Sequence, residues 1–146
     1  VFLNGSLLGY SKKQMDECFD QIVDFAELRP FIDAPIRTYS SGMYARLGFA
    51  VATARIPDVL VVDEILSVGD EAFQQKCFAR INEFRAKGST IILVSHMMAQ
   101  IENLCQRAAW LNKGKLEFVG DPATVIEAYR RSLTQGSNSN KSVSQL

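Results

Sequence analysis

Two acidic residues, Asp63 and Glu64, directly follow a run of four apolar residues at positions 59–62. An apolar run this short, bounded by Pro57 and Gly69, is typical of a fully buried strand in a parallel sheet. Ligands of such sheets bind just beyond the carboxyl ends of the strands. There an aspartate can hold Mg²⁺, and a neighbouring glutamate can polarise a water for attack on a phosphate. The alternative interpretation is a strand that ends in a solvated acidic turn.

The only histidine, His96, follows a second apolar run at residues 89–95. Between the two runs, residues 70–87 predict a helix that is capped by its first residue and has one apolar face, formed by Phe73, Cys77, Ile81 and Phe84. A strand, a helix and a second strand predict a βαβ unit with parallel pairing. If the strands are neighbours, His96 and Glu64 share one edge of the sheet, within reach of one ligand. The alternative is a histidine with a structural role.

A Ser/Gly segment, Ser40-Ser41-Gly42, precedes a run of small and apolar residues that predicts a helix at 44–54. Helix N-termini present unpaired backbone N–H groups and the positive end of the helix dipole, so they bind anions well. The two serines add hydroxyl donors, and the glycine lets a ligand approach the backbone closely. The alternative is a plain serine N-cap.

The rest of the chain predicts further helices and a hairpin. Residues 1–10 predict a loop or the end of an element, and a capping-box sequence predicts a helix over residues 11–28. Beyond His96 the sequence predicts a short helix, a hairpin and a last helix, at residues 97–106, 108–119 and 122–133. From Thr134 the chain is polar and without periodicity, as expected of a linker or disordered tail. The predicted fold class is α/β.

Composition narrows the possible functions. The 146 residues form one domain's worth of chain, and 16 basic residues balance 16 acidic ones, which argues against a general nucleic-acid-binding surface. No apolar run approaches the roughly 18–20 residues of a transmembrane helix. Three separated cysteines have neither disulfide nor metal-ligand spacing, which predicts free thiols in a reducing compartment. The first residues look like the middle of a protein and predict a fragment.

Four motifs in register resemble the ATP-binding subunits of ABC transporters, which have a P-loop NTPase-like fold. Tyr39-Ser40-Ser41-Gly42-Met43 is similar to the family's signature, and Val59–Glu64 is similar to its Walker B strand with the catalytic glutamate. Ser67-Val68-Gly69-Asp70 resembles the D-loop, and His96 stands where the family has its switch histidine. Any one of these motifs is weak evidence, but four in this order and spacing are specific. The form of the signature, followed by Tyr44-Ala45-Arg46-Leu47-Gly48-Phe49-Ala50, looks most like the subfamily that exports bacterial surface polysaccharides such as O-antigen and teichoic acid.

The resemblance implies roles for the residues picked out above. Asp63 would hold Mg²⁺, and Glu64 and His96 would be catalytic in ATP hydrolysis. The ATP-binding residues would be Ser40, Ser41, Gly42 and Asp70. The signature would act in trans on ATP held by a second, head-to-tail subunit, while a transmembrane permease would hold the pair peripherally at the cytoplasmic face of the membrane. Residues 1–38 would belong to a helical subdomain, 39–133 to the ATPase core and 134–146 to the tail.

One departure from the family pattern is important. The Walker A pattern G-x-x-x-x-G-K-[ST] is missing from the sequence. We therefore expect a C-terminal part of a longer subunit, inactive by itself, with its permease-facing surface upstream of Arg37 and the helix at 11–28 as a candidate for it. Two alternatives remain, an ABC-type ATPase of DNA repair or translation and a non-enzymatic α/β module.

Overall fold

The computed structural model describes residues 1–63 and 69–139, the last five of these by their backbone only. The chain divides into two compact units, Val1–Val94 and Ser95–Leu146. The first unit contains, in chain order, α1 (Phe2–Leu7), α2 (Lys12–Ala26), two 3₁₀ turns (Arg29–Phe31 and Ile36–Thr38), α3 (Ser41–Ala52), β1 (Val59–Asp63), α4 (Glu71–Ala86) and β2 (Thr90–Val94).

The predicted βαβ unit is confirmed. Strands β1 and β2 pair in parallel, in a register that places Val59 beside Thr90 and Asp63 beside Val94. Helix α4 connects them, with Asp70 as its N-cap, and its predicted apolar face is buried. The carboxyl ends of both strands therefore lie at one edge of this sheet.

Two helical faces form the core beside this sheet. Helix α2 begins at the predicted capping box, in which Ser11 Oγ accepts from Gln14 N–H and Gln14 Oε1 accepts from Ser11 N–H. Its apolar side packs on α3 around Met15, Ile22 and Val51. Phe25 stacks on Phe49, and both rings meet Phe73 of α4 edge to face.

The prediction that the strands are fully buried is wrong for the described residues. Leu60 and Val62 are buried, but the other face of the sheet consists of side chains that are at least half exposed, namely Val59, Val61, Ile92 and Val94. A parallel strand is buried on both sides only when both faces of the sheet are covered. The elements described for this unit cover one.

Residues 1–10, where the sequence predicts a loop or the end of an element, contain the short helix α1, Phe2–Leu7. The reason is a tertiary contact that the local sequence does not show. Gly5 is buried against Met15, so closely that a Cβ at Gly5 would lie 2.3 Å from Met15 Sδ. A glycine that looks like a loop signal is here the site of a close helix–helix approach.

The second unit contains α5 (Met98–Leu104), β3 (Ala108–Asn112), β4 (Lys115–Gly120) and α6 (Pro122–Ser139). Strands β3 and β4 form the predicted antiparallel hairpin. Lys113 and Gly114 connect them with φ values of 48° and 77°, the positive angles that a two-residue type I′ turn requires. Trp110 of β3 packs edge to face on Tyr129 of α6.

Helix α6 is longer than predicted. It continues through Thr134 to Ser139, so this part of the expected polar tail is helical, while residues 140–146 lie outside the described residues. Polar residues such as Gln135 are compatible with a helix, so polarity alone was a poor signal for its end. Among the described residues, no helix combines the length and apolar character needed to cross a bilayer.

Candidate functional site

The N-terminus of α3 carries the Ser/Gly segment. Ser40 is the N-cap, and its Oγ accepts from the backbone N–H of Met43 at 3.2 Å. The capping interpretation is therefore correct for Ser40. Accepting this bond leaves the hydroxyl able to donate to a ligand. Ser40 and Ser41 are exposed, and a Cβ at Gly42 would come no closer than 3.8 Å to its nearest neighbour, Ser40 Oγ. The end of the helix is thus open to an anion.

Tyr39 fixes the approach to this helix. Its hydroxyl donates to the backbone carbonyl of Phe31 at 2.8 Å, across the irregular connection between α2 and α3. An apolar side chain at this position could not make this bond. Sequence reasoning treated Tyr39 only as the first residue of the signature-like segment and missed its structural role.

Asp63 is the last residue of β1 and is exposed at the carboxyl end of the sheet, where the sequence predicted it. Its carboxylate is a hard oxygen ligand of the kind that Mg²⁺ prefers, and Mg²⁺ sites commonly take only one or two carboxylates and complete their shell with phosphates and water. The described residues contain no cluster of three or more His, Cys, Asp or Glu that could hold a metal by itself. Asp63 therefore suits a Mg²⁺ ion whose other ligands are phosphate oxygens and water.

Glu64 lies outside the described residues, as do Ser67 and Val68 of the D-loop-like segment. Gly69 and Asp70 of the same segment are among the described residues. The catalytic role of Glu64 therefore stays a prediction, and so does its expected proximity to His96.

Asp70 uses both carboxylate oxygens. Oδ1 accepts from the backbone N–H of Phe73 at 2.9 Å, which caps α4, and Oδ2 accepts from Arg46 Nη2 at 2.9 Å. The bond from Phe73 is the main cause that lowers the pKa of Asp70 below its usual value, and the charge of Arg46 lowers it further. At neutral pH this carboxylate is ionised and held in place by two elements.

Arg46 and Glu27 belong to the same set of ionic contacts as Asp70, and sequence reasoning missed both. Arg46 Nη1 donates to Glu27 Oε2 at 2.9 Å, and Glu27 also pairs with Lys76 of α4. The hydrogen bond with Lys76 is the main cause that lowers the pKa of Glu27. One signal could have pointed to Arg46, because it is the one charged residue within α3 and a charge in an apolar helix needs a partner.

His96 lies in the second unit and is exposed, in the turn before α5. Hydrogen bonds fix the backbone on both sides of it. Ser95 Oγ accepts from Met97 N–H at 3.0 Å and donates to Gln100 Oε1 at 2.8 Å. Gln100 is the buried polar residue of α5. The sequence identified His96 but not Ser95 and Gln100, which hold its turn.

Comparison with solved structures identifies the fold. Solved structures of ABC ATPase subunits match the chain, among them the ATP-binding subunit of an ABC transporter, with a TM-score of 0.73 and 21% identity over 87% of this chain and 53% of that one. A dimeric ATP-binding cassette in a post-hydrolysis state, bound to ADP and phosphate, matches with a TM-score of 0.64 and 20% identity over 77% of this chain and 49% of that one. These matches confirm the predicted α/β, ABC ATPase-type fold.

Sequence comparison gives the nearer relationship. The chain is 44% identical over 133 residues to an O-antigen export system ATP-binding protein of Klebsiella pneumoniae, covering 91% of this chain and 54% of that protein. It is 46% identical to a Myxococcus xanthus protein of the same description, over 92% of this chain and 31% of the relative. It is 45% identical to a teichoic acids export ATP-binding protein of Bacillus cereus, over 92% of this chain and 25% of the relative.

The predicted resemblance is thereby confirmed. The chain is related to O-antigen and teichoic acids export ATP-binding proteins, and its fold is that of ABC ATPase subunits. It spans about half the length of the Klebsiella relative and less of the other two. No protein-family model matches the chain.

Proposed function

We propose that the chain is the C-terminal part of the ATP-hydrolysing subunit of an ABC exporter for a bacterial cell-surface polysaccharide. The observation that carries the proposal is the 44–46% identity to O-antigen and teichoic acid export proteins over about nine-tenths of the chain. The relatives named above are all export proteins, which favours transport over DNA repair or translation. The relatives named above are described as ATP-binding proteins, which favours an ATPase over the non-enzymatic alternative.

The described geometry supports the roles proposed for the α3 N-terminus and for Asp63, and the other roles are proposed from the family resemblance. The open N-terminus of α3, with Ser40, Ser41 and Gly42, suits the phosphates of ATP. Asp63 suits Mg²⁺, which when bound would neutralise phosphate charge. In this proposal Glu64 orients and activates the attacking water, and His96 contacts the γ-phosphate or that water.

We further propose that two such subunits pair head to tail, so that the α3 N-terminus of one closes over ATP held by the other. The exposure of Ser40 and Ser41 supports this arrangement, because a group that acts in trans must be accessible. A permease would hold the pair peripherally at the cytoplasmic face of the membrane. No nucleic-acid partner is proposed, because the chain has no excess of basic residues.

The test is the substitution Glu64→Gln in the complete subunit, the gene product that contains these 146 residues. We expect Mg²⁺-dependent ATP turnover to fall by at least about 100-fold, since a general base contributes this much or more, while ATP still binds tightly. Turnover is measured as phosphate release, and binding is measured with a fluorescent ATP analogue. Glu117→Gln on the exposed strand β4 is the matched control and should leave both unchanged.

Three results would contradict the proposal. A complete subunit without Mg²⁺-dependent turnover would remove the ATPase function. Turnover by the 146 residues alone, abolished by Glu64→Gln, would show that the chain needs no further segment for catalysis. Turnover that responds to DNA or ribosomes and not to the permease would favour the alternative outside transport.

A further inference from the structure

We propose that Arg46 is a positioning residue for ATP hydrolysis, because its guanidinium ties the α3 helix, which carries the proposed phosphate-binding end, to Asp70, six residues after Glu64 in the chain. The inference rests on the proposed function. Arg46 lies about 1.7 turns along α3 from Ser40, about 9 Å at 1.5 Å per residue, and its guanidinium bonds Glu27 and Asp70, so we assign it a positioning role and not that of a phosphate ligand.

The first support is the pattern of bonds. Arg46 donates from Nη1 to Glu27 and from Nη2 to Asp70, at 2.9 Å each. Glu27 ends α2 in the left-handed conformation, with φ 59°, and Asp70 begins α4. One planar guanidinium therefore joins the end of α2 to the start of α4. Lysine could not reproduce this, since its ammonium lacks the rigid fork of donors.

The second support is the enclosure of the guanidinium. Arg46 is only 17% exposed, and its Cζ lies 4.8 Å from the centre of the Phe73 ring. A cation stacked on an aromatic ring and bonded to two carboxylates has little freedom, which distinguishes it from an ordinary surface ion pair.

The third support is the close approach of the chain at Gly69. This residue has φ +85°, and a Cβ there would lie 3.3 Å from Arg46 Nε and 3.2 Å from Phe73 Cβ. The backbone thus passes directly over the guanidinium immediately before Asp70. Glu64 is five residues upstream of Gly69 in the chain. Arg46 therefore holds Gly69 and Asp70, the first described residues after Glu64 in the chain.

Arg29 provides a matched control within the same unit. It also bonds two carboxylates, Asp20 at 2.5 Å and Asp24 at 2.6 Å. Both belong to α2, however, and Arg29 is 48% exposed. Replacing it removes an arginine with two ionic partners but leaves α3 and Asp70 untouched.

The experiment compares Arg46→Met, Arg46→Lys and Arg29→Met in the complete subunit. Phosphate release gives kcat and KM, and titration with a fluorescent ATP analogue counts binding-competent sites, so that kcat is expressed per competent site. We expect Arg46→Met to lower this kcat by about 10- to 100-fold with the ATP affinity within about twofold of wild type, since small misplacement of reacting groups costs this much. Arg46→Lys should recover part of the loss, and Arg29→Met should match wild type.

The outcomes separate the inference from the proposed function. Wild-type turnover together with equal kcat per site in Arg46→Met and Arg29→Met would overturn the positioning role and leave the ATPase function standing. A wild-type subunit without turnover would overturn the function and the inference with it. If Arg46→Met fails to fold, Arg46→Lys decides, because wild-type kcat per site in that variant would show that the two-carboxylate bond is dispensable.

Discussion

Single side chains in the first unit have their chemistry set by what surrounds them. Cys77 is the clearest case, because it is buried on the apolar face of α4 to which Phe73 and Ile81 also belong. Burial raises the pKa of its thiol to about 11. The thiolate is the reactive form, so Cys77 is chemically inert while the unit stays folded. This agrees with the expectation of free structural thiols.

Labelling of Cys77 should therefore report unfolding. In the 146-residue chain with Cys18→Ser and Cys105→Ser, we expect a thiol-reactive dye at about pH 8 to label the remaining thiol only as fast as the first unit opens. Labelling in denaturant should be complete within the mixing time of the reagent. Rapid labelling of the native chain would show that α4 does not bury Cys77 as described.

At the scale of elements, two helical glycines have opposite surroundings. Gly5 of α1 is packed against Met15, whereas a Cβ at Gly48 of α3 would meet nothing within 4 Å. Alanine is favoured over glycine in a helix interior by about 1 kcal/mol, so helix propensity alone predicts the same gain at both positions. Packing separates them, because Met15 is buried and has little room to move aside.

We expect Gly48→Ala to raise the free energy of unfolding by about 0.5–1 kcal/mol and Gly5→Ala to lower it, because overpacking costs about 1–3 kcal/mol. Chemical denaturation followed by circular dichroism measures both. Combining Gly5→Ala with Met15→Ala should cost less than the sum of the single changes, since the shorter side chain at position 15 leaves space that the new methyl group at position 5 partly fills. Strict additivity would contradict the close approach of α1 and α2.

At the scale of the whole molecule, sequence reasoning succeeded where the signals are local. The capping box at Ser11, the N-cap at Asp70 and the βαβ connection depend on residues near one another in the chain. It missed α1, which depends on packing against Met15, and the bonds of Arg46, whose partners lie 19 and 24 positions away. Which face of β1 is covered also depends on the whole arrangement of elements and on no local pattern.

The same ionic contacts make the stability of the first unit depend on pH. Hydrogen bonds from Lys76 to Glu27 and from Phe73 N–H to Asp70 lower the pKa of each carboxyl below its usual 4.5 and 3.8. A carboxyl with a lowered folded pKa stabilises the fold fully above its usual value, and this contribution is lost as the pH falls through the folded pKa.

We therefore expect the melting temperature of the chain to be flat near neutral pH and to fall below about pH 4.5. In Arg46→Met the acid-side fall should be shallower, because one cause of the lowered pKa of both carboxyls is removed. Differential scanning calorimetry between about pH 3 and 7 measures this. Equal slopes in both proteins would indicate that Arg46 contributes little to either carboxylate.

The half-exposed apolar face of β1 and β2 has a practical consequence for anyone who prepares these 146 residues by themselves. Apolar strands with open edges are templates on which copies of a chain associate. Sulfate and phosphate salts strengthen such association, whereas low protein concentration weakens it. Light scattering should accompany every assay to detect such association. The substitution Val61→Lys should reduce association, because it adds a charge to the exposed face and leaves Asp63 and the buried side of the sheet unchanged.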